Sequence, residues 1–304
     1  MAVAVVFPGQ GSQFVGMGKD FFEKSEKSKS FFKEADDSLG YSLSKIMFEG
    51  SQDELRLTQN TQPALLTMSA VVWNEIKDKV KPDFFAGHSL GEYSAVYAAG
   101  GLSFTDAVKA VHNRGKFMQN AVAVGVGAMA AVLGLKDEEV ITACKEFSKE
   151  GAIVEPANFN CDGQIVIAGH AAVFEEFTEI LKSKGAKRVV SLPVSAPFHC
   201  SLMKKAQEDM EKYFESVTFS DLKIPVVNNI DATIEEKASD VKDAFIRQIS
   251  GSVKWTESVK YMISKGVDTF IEAGAGAVLT GLIKKIDKNV TCINISSIDD
   301  LSKL

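Results

Sequence analysis

The sequence predicts an α/β protein with a mostly parallel sheet and a small inserted domain, and two observations support this class. Short apolar runs rich in β-branched residues alternate with helical segments along most of the 304-residue chain. Such alternation is typical of a parallel sheet with helices on both faces. The middle of the chain instead has the order β-α-β-β-α-β, which is the split βαβ or ferredoxin-like unit.

The large domain is predicted to begin with a strand at residues 3–7. This continuous apolar run stops at Pro8 and is typical of a strand buried on both faces. We expect Pro63 in the first turn of a helix, where its missing N–H costs nothing, and Ser103 as the N-cap of a later helix. Polar, helix-favouring stretches lie between these first elements, from about residue 28 to 56. The other predicted strands are 84–86, 226–230, 267–271 and 291–295, and the predicted helices are 64–79, 92–99, 104–121, 201–217, 241–249 and 278–286.

The inserted domain is predicted at residues 124–193, so that residues 1–123 and 194–304 form the large domain. Glycines mark its first border and prolines its second. Gly185 stands where a helix would end in a left-handed residue. The predicted strands of this domain are 128–133, 152–157, 164–168 and 188–194, and its helices are 137–149 and 172–184.

Composition and charge exclude several classes of protein. Hydrophobic residues make up 45% of the chain and charged residues 24%, as in ordinary soluble proteins. A net charge of −6, from 34 basic and 40 acidic residues, argues against nucleic acid as the main partner. The four cysteines lie far apart, no secretory signal is evident, and no stretch approaches the ~20 apolar residues of a membrane helix. We therefore expect a cytoplasmic protein with reduced thiols, no metal site and no membrane partner. The mature part of an organellar protein is the alternative.

The sharpest local signal is a serine flanked by glycines between a predicted strand and a predicted helix. Its sequence is Gly87-His88-Ser89-Leu90-Gly91. In this context G-x-S-x-G is typical of a nucleophile elbow, where glycines allow a tight turn around a strained serine. Ser89 is the candidate nucleophile, and the N–H of Leu90, at a helix N-terminus, would face a developing oxyanion. A chance match of a short pattern is the alternative.

His199 is the candidate base for this serine. It lies in a loop late in the chain after a predicted strand, and Ser before His is the order expected of an elbow enzyme. A packed or surface histidine is the alternative. Asp231 and Asp268 follow strands but carry no motif, so neither is assigned as a third member. A backbone carbonyl can orient the imidazole instead.

Arg114 is informative because arginine occurs at only four positions among the 34 basic residues. It lies in an otherwise apolar helix, and its planar guanidinium can donate two parallel hydrogen bonds to a substrate carboxylate. The alternative is a partly exposed arginine paired with a surface acid.

After the first strand, a glycine-rich loop brings Gln10 within reach as a second oxyanion donor. This loop is not a P-loop, because the Gly-Lys-Ser/Thr ending is missing.

Together these motifs resemble the malonyl-CoA:acyl carrier protein transacylase family of fatty acid synthesis. The matching segments run in order over nearly the whole chain. They are Phe7-Pro8-Gly9-Gln10-Gly11-Ser12-Gln13, Gly87-His88-Ser89-Leu90-Gly91-Glu92-Tyr93, Arg114-Gly115 with Met118-Gln119, Gly127-Ala128-Met129-Ala130-Ala131, Ala157-Asn158-Phe159-Asn160, Pro193-Val194-Ser195-Ala196-Pro197-Phe198-His199, and the stretch from Gln248 to Trp255. The family implies an α/β-hydrolase-like large domain that carries a ferredoxin-like insertion.

The resemblance implies a role for the residues that perform the chemistry. Ser89 would be acylated by malonyl-CoA. His199 would remove the serine proton and then protonate the leaving thiolate. In this family a main-chain carbonyl near Gln248 orients the histidine, which would explain the missing aspartate.

The resemblance also implies how the acyl group is held. The backbone N–H groups of Gln10 and Leu90 would form the oxyanion hole, and Arg114 would bind the free carboxylate of malonate. Phe198, directly before the histidine, resembles malonyl-selective members because its bulk leaves little room for a methyl branch. Two turns depart from the family pattern, with Ala275 in place of a proline and Cys161-Asp162 in place of Ser-Pro.

The implied partners are malonyl-CoA and an acyl carrier protein whose phosphopantetheine thiol accepts the acyl group. No cofactor is expected, because both thioesters are substrates. Since such carriers are acidic, Lys204-Lys205 and Lys284-Lys285 are candidate docking residues. Three alternatives stay open: a Ser–His esterase or thioesterase, a non-catalytic carrier-binding module, and a trans-acting polyketide acyltransferase.

Overall fold

The computed structural model describes residues 2–194 and 196–304, in which ten strands form two separate sheets. Ser195, part of the motif before His199, lies outside the described residues, as does Met1. The strands are β1 (Ala2–Phe7), β2 (Phe84–Gly87), β3 (Gly127–Leu133), β4 (Val154–Cys161), β5 (Gln164–His170), β6 (Arg188–Ser191), β7 (Val226–Val227), β8 (Ile234–Glu235), β9 (Val267–Ala273) and β10 (Thr291–Ile295). The α-helices are α1 (Lys19–Lys24), α2 (Glu26–Leu39), α3 (Leu43–Glu49), α4 (Gln52–Arg56), α5 (Thr58–Ile76), α6 (Gly91–Ala98), α7 (Phe104–Asn120), α8 (Asp137–Phe147), α9 (Phe174–Ser183), α10 (Lys204–Tyr213), α11 (Ala238–Gln248), α12 (Trp255–Ser264) and α13 (Val278–Ile286).

The large sheet has the order β10-β9-β1-β2-β7-β8, and every neighbouring pair is parallel except β7 with β8. Strand β1 lies in the interior of this sheet. Val5 and Phe7 belong to one hydrophobic cluster, and Ala4 and Val6 belong to the cluster on the other face. The prediction of a mostly parallel sheet with its first strand buried on both faces is therefore confirmed.

The small sheet has the order β4-β5-β3-β6 and is antiparallel throughout. Its own core joins the sheet to α8 and α9 through side chains such as Ile165, Val140 and Phe177. Gly185, with φ of 104°, follows α9 in the left-handed region as predicted. This strand order is that of a ferredoxin-like unit, which confirms the predicted mixed architecture. The limits of the inserted domain at residues 124 and 193 stay a prediction.

The two sheets are joined along the edge strand β4. Phe159 donates its N–H to the carbonyl of Val253 over 2.9 Å, and Val253 donates to the carbonyl of Ala157 over 2.8 Å. Val253 lies just before α12, in the chain that returns to the large sheet. This short parallel bridge fixes one side of the cleft in which the candidate site lies.

Helix α5 begins six residues earlier than predicted, at Thr58, so Pro63 lies inside the helix and not in its first turn. A proline there leaves the carbonyl four residues earlier without its helical donor. That carbonyl belongs to Gln59, and it accepts a hydrogen bond from His112 Nδ1 over 2.9 Å. A side chain from the neighbouring helix α7 thus satisfies the group that the proline leaves free.

Other differences concern short or poorly signalled elements. Helix α12 was not predicted, and its N-cap Lys254 makes no side-chain capping bond. Strand β7 ends at Val227 and not at residue 230, because the N–H of Asn228 turns back to Thr233. Strand β8 was also missed, since it is two residues long. None of the helices within residues 2–194 and 196–304 is long and apolar enough to cross a membrane.

Candidate active site

Ser89 lies at the sharp bend between β2 and α6, with φ of 53° in the left-handed region. Glycines on both sides make the bend possible. A Cβ on Gly87 would lie 2.0 Å from the carbonyl of Gly91, and a Cβ on Gly91 would lie 2.2 Å from the carbonyl oxygen of Phe7. Backbone atoms cannot move aside as a flexible side chain can, so both positions require glycine. The bend presents the Ser89 hydroxyl to the cleft above the sheet.

The imidazole of His199 lies directly against this hydroxyl. Its Nε2 is 2.7 Å from Ser89 Oγ, and the residue is only 4% exposed. Its Nδ1 is 2.9 Å from the main-chain carbonyl oxygen of Gln248. Since a carbonyl only accepts, Nδ1 carries the proton and donates it, which leaves Nε2 free to accept from the serine. A carbonyl thus occupies the place that an aspartate takes in many Ser–His sites.

His199 is neutral in the free protein. Burial, and after it the positive charge of Arg114, lowers the pKa of its ring from 6.5 to about 3. The pKa shift keeps Nε2 unprotonated through the neutral pH range. A neutral imidazole is the form that can accept the serine proton.

Arg114 reaches the same hydroxyl from α7 and is 1% exposed. Its Nη2 donates to Ser89 Oγ over 3.1 Å and to Gln248 Oε1 over 2.8 Å. Its Nη1 donates to Gln62 Oε1 over 2.8 Å. These partners are neutral oxygens, and burial lowers the pKa of the guanidinium without removing its charge. The alternative of a partly exposed arginine paired with a surface acid does not fit this burial.

Gln10 and Leu90 line the same cleft as Ser89. Within the described part of the chain, neither backbone N–H donates a hydrogen bond to another protein group. The Gln10 side chain is occupied, since Oε1 accepts a hydrogen bond from Thr58 Oγ1 over 2.6 Å. Two N–H groups in the cleft of the nucleophile, without an acceptor among the described residues, are suited to a tetrahedral oxyanion.

The cleft lies between the two sheets and encloses about 520 Å³ including its open mouth. Its floor is polar and its walls are mostly apolar. The small sheet contributes Met129 and Asn158 to the lining, and Phe198, 7% exposed, stands beside the base. The full lining is Gln10, Gln62, His88, Ser89, Leu90, Arg114, Met118, Met129, Asn158, Leu192, Val194, Phe198 and His199.

Asp231, Cys200 and His88 make their hydrogen bonds away from the Ser89 hydroxyl. Asp231 accepts two hydrogen bonds from the exposed Arg247. Cys200 donates its thiol to the Pro197 carbonyl, and burial raises the pKa of this thiol to about 12. His88 Nε2 turns away from the serine to Asn160 Oδ1, 2.9 Å distant. No group of three or more His, Cys, Asp or Glu side chains among the described residues is arranged to hold a metal ion.

Comparison with known proteins assigns the family. A profile of the acyl transferase domain matches residues 4–298. The malonyl CoA-acyl carrier protein transacylase of Bacillus subtilis (strain 168) is 47% identical over 295 residues, which are 97% of this chain and 93% of the relative. This chain belongs to the malonyl CoA-acyl carrier protein transacylase family. The resemblance carried by the sequence motifs is thereby confirmed.

Solved structures of malonyl transacylases agree with this assignment over the whole length. The acyl carrier protein S-malonyltransferase of Vibrio cholerae O1 biovar eltor superposes with a TM-score of 0.96 at 43% identity, covering 100% of this chain and 99% of that one. A malonyl-transacylase solved in complex with a type II polyketide acyl carrier protein has a TM-score of 0.96 at 42% identity, covering 100% and 98%.

Sequence reasoning about this transacylase missed two residues that contact its candidate site. Gln62, buried in α5, holds Arg114, and Asn229, buried after β7, holds the backbone of Ser89. Gln62 precedes Pro63, whereas the helix was predicted to begin only at residue 64. Asn229 fell within a predicted strand, although an asparagine pair at the carboxyl end of a strand is itself a signal.

Proposed function

We propose that this protein transfers a malonyl group from malonyl-CoA to the phosphopantetheine thiol of an acyl carrier protein through a malonyl-Ser89 intermediate. The observation that carries the proposal is the pair of contacts that the Ser89 hydroxyl makes. The Ser89 hydroxyl lies 2.7 Å from a neutral imidazole and 3.1 Å from a buried guanidinium. The imidazole supplies a base, and the guanidinium supplies a carboxylate site next to the atom that attacks.

In the first half-reaction, Arg114 binds the malonate carboxylate and so positions the thioester carbonyl above Ser89. As Ser89 Oγ forms a bond to the carbonyl carbon, His199 Nε2 takes the hydroxyl proton. The oxyanion is stabilised by the N–H groups of Gln10 and Leu90. The carbon–sulfur bond then breaks, and the imidazolium returns the proton to the CoA thiolate.

The second half-reaction runs the same steps with a different thiol. His199 removes the proton of the phosphopantetheine thiol, and the sulfur attacks the malonyl-serine carbonyl. The ester oxygen leaves as Ser89 regains its proton. Ester and thioester exchange needs neither a metal nor a redox cofactor. What it does need is the exclusion of water, and the apolar walls of the cleft support this.

The carrier is expected to dock at the mouth of the cleft. A relative of 42% identity was solved in complex with a type II polyketide acyl carrier protein. Lys204 and Lys205 begin α10, shortly after His199 in the chain, and both are exposed. Lys205 also pairs with Asp209 on its own helix, so a docking acidic carrier would compete with that local partner. Lys204-Lys205 and Lys284-Lys285 stay predictions for the carrier surface.

Mass spectrometry of the protein after brief incubation with malonyl-CoA tests the proposal. We expect a Ser89-containing peptide that is heavier by one malonyl group, and the same peptide unmodified in Ser89→Ala. Adding a phosphopantetheinylated carrier should remove the malonyl group from Ser89 and place it on the carrier. No modification of Ser89 would exclude the mechanism and favour a non-catalytic carrier-binding module.

The hydrolase alternative gives a different result in the same assay. An esterase or thioesterase would release CoA from malonyl-CoA without any carrier, at a rate equal to the carrier-dependent one. The buried cation argues against a hydrolase of neutral esters, which has no carboxylate to place against Arg114. Carriers of fatty acid and of polyketide synthesis, compared side by side, would decide between those two pathways.

A further inference from the structure

Asn229 connects the nucleophile bend to the next strand of the large sheet. It follows β7 at the carboxyl edge of the sheet and is 0% exposed. Its Oδ1 accepts the backbone N–H of Ser89 over 2.6 Å. Its Nδ2 donates to the carbonyl oxygen of Gly87 over 2.7 Å. One amide group therefore bonds to the peptide groups on both sides of His88.

The backbone at Ser89 needs such support. With φ of 53°, Ser89 adopts a left-handed conformation that non-glycine residues rarely take. Strained conformations persist only when their surroundings hold them. The Asn229 bonds hold the bend on one side, and Gln248 Nε2 donates to the Ser89 carbonyl oxygen over 3.1 Å on the other.

The position requires an amide for a chemical reason. It must accept a hydrogen bond from one peptide group and donate one to another, in a fully buried place. A carboxylate cannot donate, and a hydroxyl cannot span both groups in this geometry. The backbone of Asn229 is itself fixed, since its N–H donates to Glu92 Oε2 over 2.6 Å and its carbonyl accepts from Lys254 over 2.9 Å.

The hydrogen bonds of Asn229 also determine which backbone N–H groups of the bend stay available to the substrate. The N–H of Ser89 is committed to Asn229, whereas that of Leu90 has no acceptor among the described residues. A bend that relaxed toward an ordinary backbone conformation would move both Ser89 Oγ and Leu90 N. Arg114 has no direct bond to Asn229. The two are linked only through Gln248, whose Oε1 accepts from Arg114 over 2.8 Å and whose Nε2 lies 3.5 Å from Asn229 Oδ1, so we expect binding of the malonate carboxylate to change little without Asn229.

We propose that Asn229 is a positioning residue for the acyl transfer, which holds the Ser89 hydroxyl against His199 and leaves the Leu90 N–H free for the oxyanion. The proposal rests on the proposed function, because it is expressed in the rate of Ser89 acylation. It predicts a defect in the chemical step without a defect in malonyl-CoA binding.

The test compares single-turnover acylation by malonyl-CoA in the wild-type protein and in Asn229→Ala. We expect the acylation rate constant to fall about 30-fold or more, since displaced reacting groups lose rate steeply. The dissociation constant of malonyl-CoA, measured in a Ser89→Ala background with and without Asn229→Ala, should stay within about 2-fold. Loss of a residue that only stabilises the fold would change the acylation rate constant and the dissociation constant together.

Asn228 provides a matched control. It is 4% exposed and adjacent, but its side chain accepts from Asp231 and makes no bond to the bend. Asn228→Ala should leave the acylation rate constant unchanged. Asn229→Asp keeps the size and one acceptor, and it carries the test if Asn229→Ala does not fold.

The outcomes separate the two proposals. If wild type itself is not acylated, the proposed function fails. If wild type is acylated and the folded Asn229 variants react at the same rate, or if Asn228→Ala loses as much, the positioning role is wrong. It is also wrong if neither Asn229 variant folds, because Asn229 would then be required for folding and not for positioning.

Discussion

Arg114 donates a hydrogen bond to the nucleophile itself, with its Nη2 3.1 Å from Ser89 Oγ. The other bonds of the guanidinium go to the amide oxygens of Gln62 and Gln248. A substrate carboxylate is a stronger acceptor than a hydroxyl or an amide, so it would replace the weakest of these partners. Arrival of malonate would then release Ser89 to His199 at the moment the acyl carbonyl is in place.

Arg114→Ala should impair malonyl transfer selectively. We expect kcat/KM for malonyl-CoA to fall by about 3 kcal/mol of transition-state binding, or roughly 100-fold, because the substrate carboxylate would lie buried and unpaired. Acetyl-CoA, which has no carboxylate, should lose nothing or gain. Acylation rates of the two thioesters measured on one preparation give the comparison.

Arg247 is the control for this substitution. It is an exposed arginine whose bonds go to Asp231 and Asp243. Arg247→Ala should change neither rate, because surface ion pairs contribute little. An equal loss for malonyl- and acetyl-CoA in Arg114→Ala would mean that Arg114 supports the fold of the site and does not select the substrate.

The rate of acylation should not fall near pH 6.5, as it would if the base were a histidine of ordinary pKa. Burial and the charge of Arg114 lower the pKa of His199 to about 3. The active, neutral form is therefore complete well above that value and is lost only as the pH falls through it. We expect kcat/KM to be flat from about pH 8 to pH 5, since this parameter reports the free enzyme.

As the pH is lowered, kcat should begin to fall at a higher pH than kcat/KM does. A bound malonate carboxylate neutralises Arg114 and thereby removes one cause of the lowered His199 pKa. Arg114→Gln should likewise move the kcat/KM limb upward. Rapid-quench acylation from pH 8 down toward the His199 pKa of about 3 measures both parameters. A wild-type kcat/KM that falls near pH 6.5 would contradict the assigned state of His199.

The chemistry of the site could be predicted where the sequence pattern is local. Glycines that flank a serine between a strand and a helix identified Ser89, and chain order with a strand-end loop singled out His199. Both side chains lie within hydrogen-bond distance of each other. Arg114 was noticed because the chain otherwise prefers lysine, but the sequence left its burial open.

The rest could not be predicted, because the partners are distant in sequence. Asn229 meets Ser89 across 140 residues, and Gln62 meets Arg114 across 52, so neither pairing leaves a local pattern. The same holds for Pro63, whose tolerance inside α5 depends on His112 from another helix.

Glu235→Gln should stabilise the protein more at pH 8 than at pH 5. Glu235 is 3% exposed, and burial, with the nearby charge of Glu92, raises its pKa above the ordinary 4.5. A raised folded-state pKa means that stability is present below 4.5 and is lost as the pH rises toward the folded-state value. We expect the gain in unfolding free energy at pH 8 to exceed that at pH 5 by about 2 kcal/mol, roughly 4 °C in Tm.

Thermal unfolding of Glu235→Gln at both pH values provides the measurement. Its neighbour Glu236 is exposed, and Glu236→Gln serves as the control that removes the same charge from the surface. Taking the difference between two pH values cancels any cost of burying the new amide. A gain that is the same at pH 5 and pH 8 would show that Glu235 is ionised in the folded protein.

Alanine substitutions at two glycines should act in opposite directions. A Cβ on Gly91 would lie 2.2 Å from the Phe7 carbonyl oxygen, whereas nothing lies within 4 Å of one on Gly281, an exposed position inside α13. Gly281→Ala should raise the free energy of unfolding by about 0.5–1 kcal/mol, because alanine favours the helix. Gly91→Ala should lower it by about 3 kcal/mol or more and abolish acylation, since β1 and α6 must separate to admit the methyl group. Urea unfolding of both variants tests the pair. A Gly91→Ala protein of wild-type stability and acylation rate would disprove the requirement for close contact between the strand and the bend that carries Ser89.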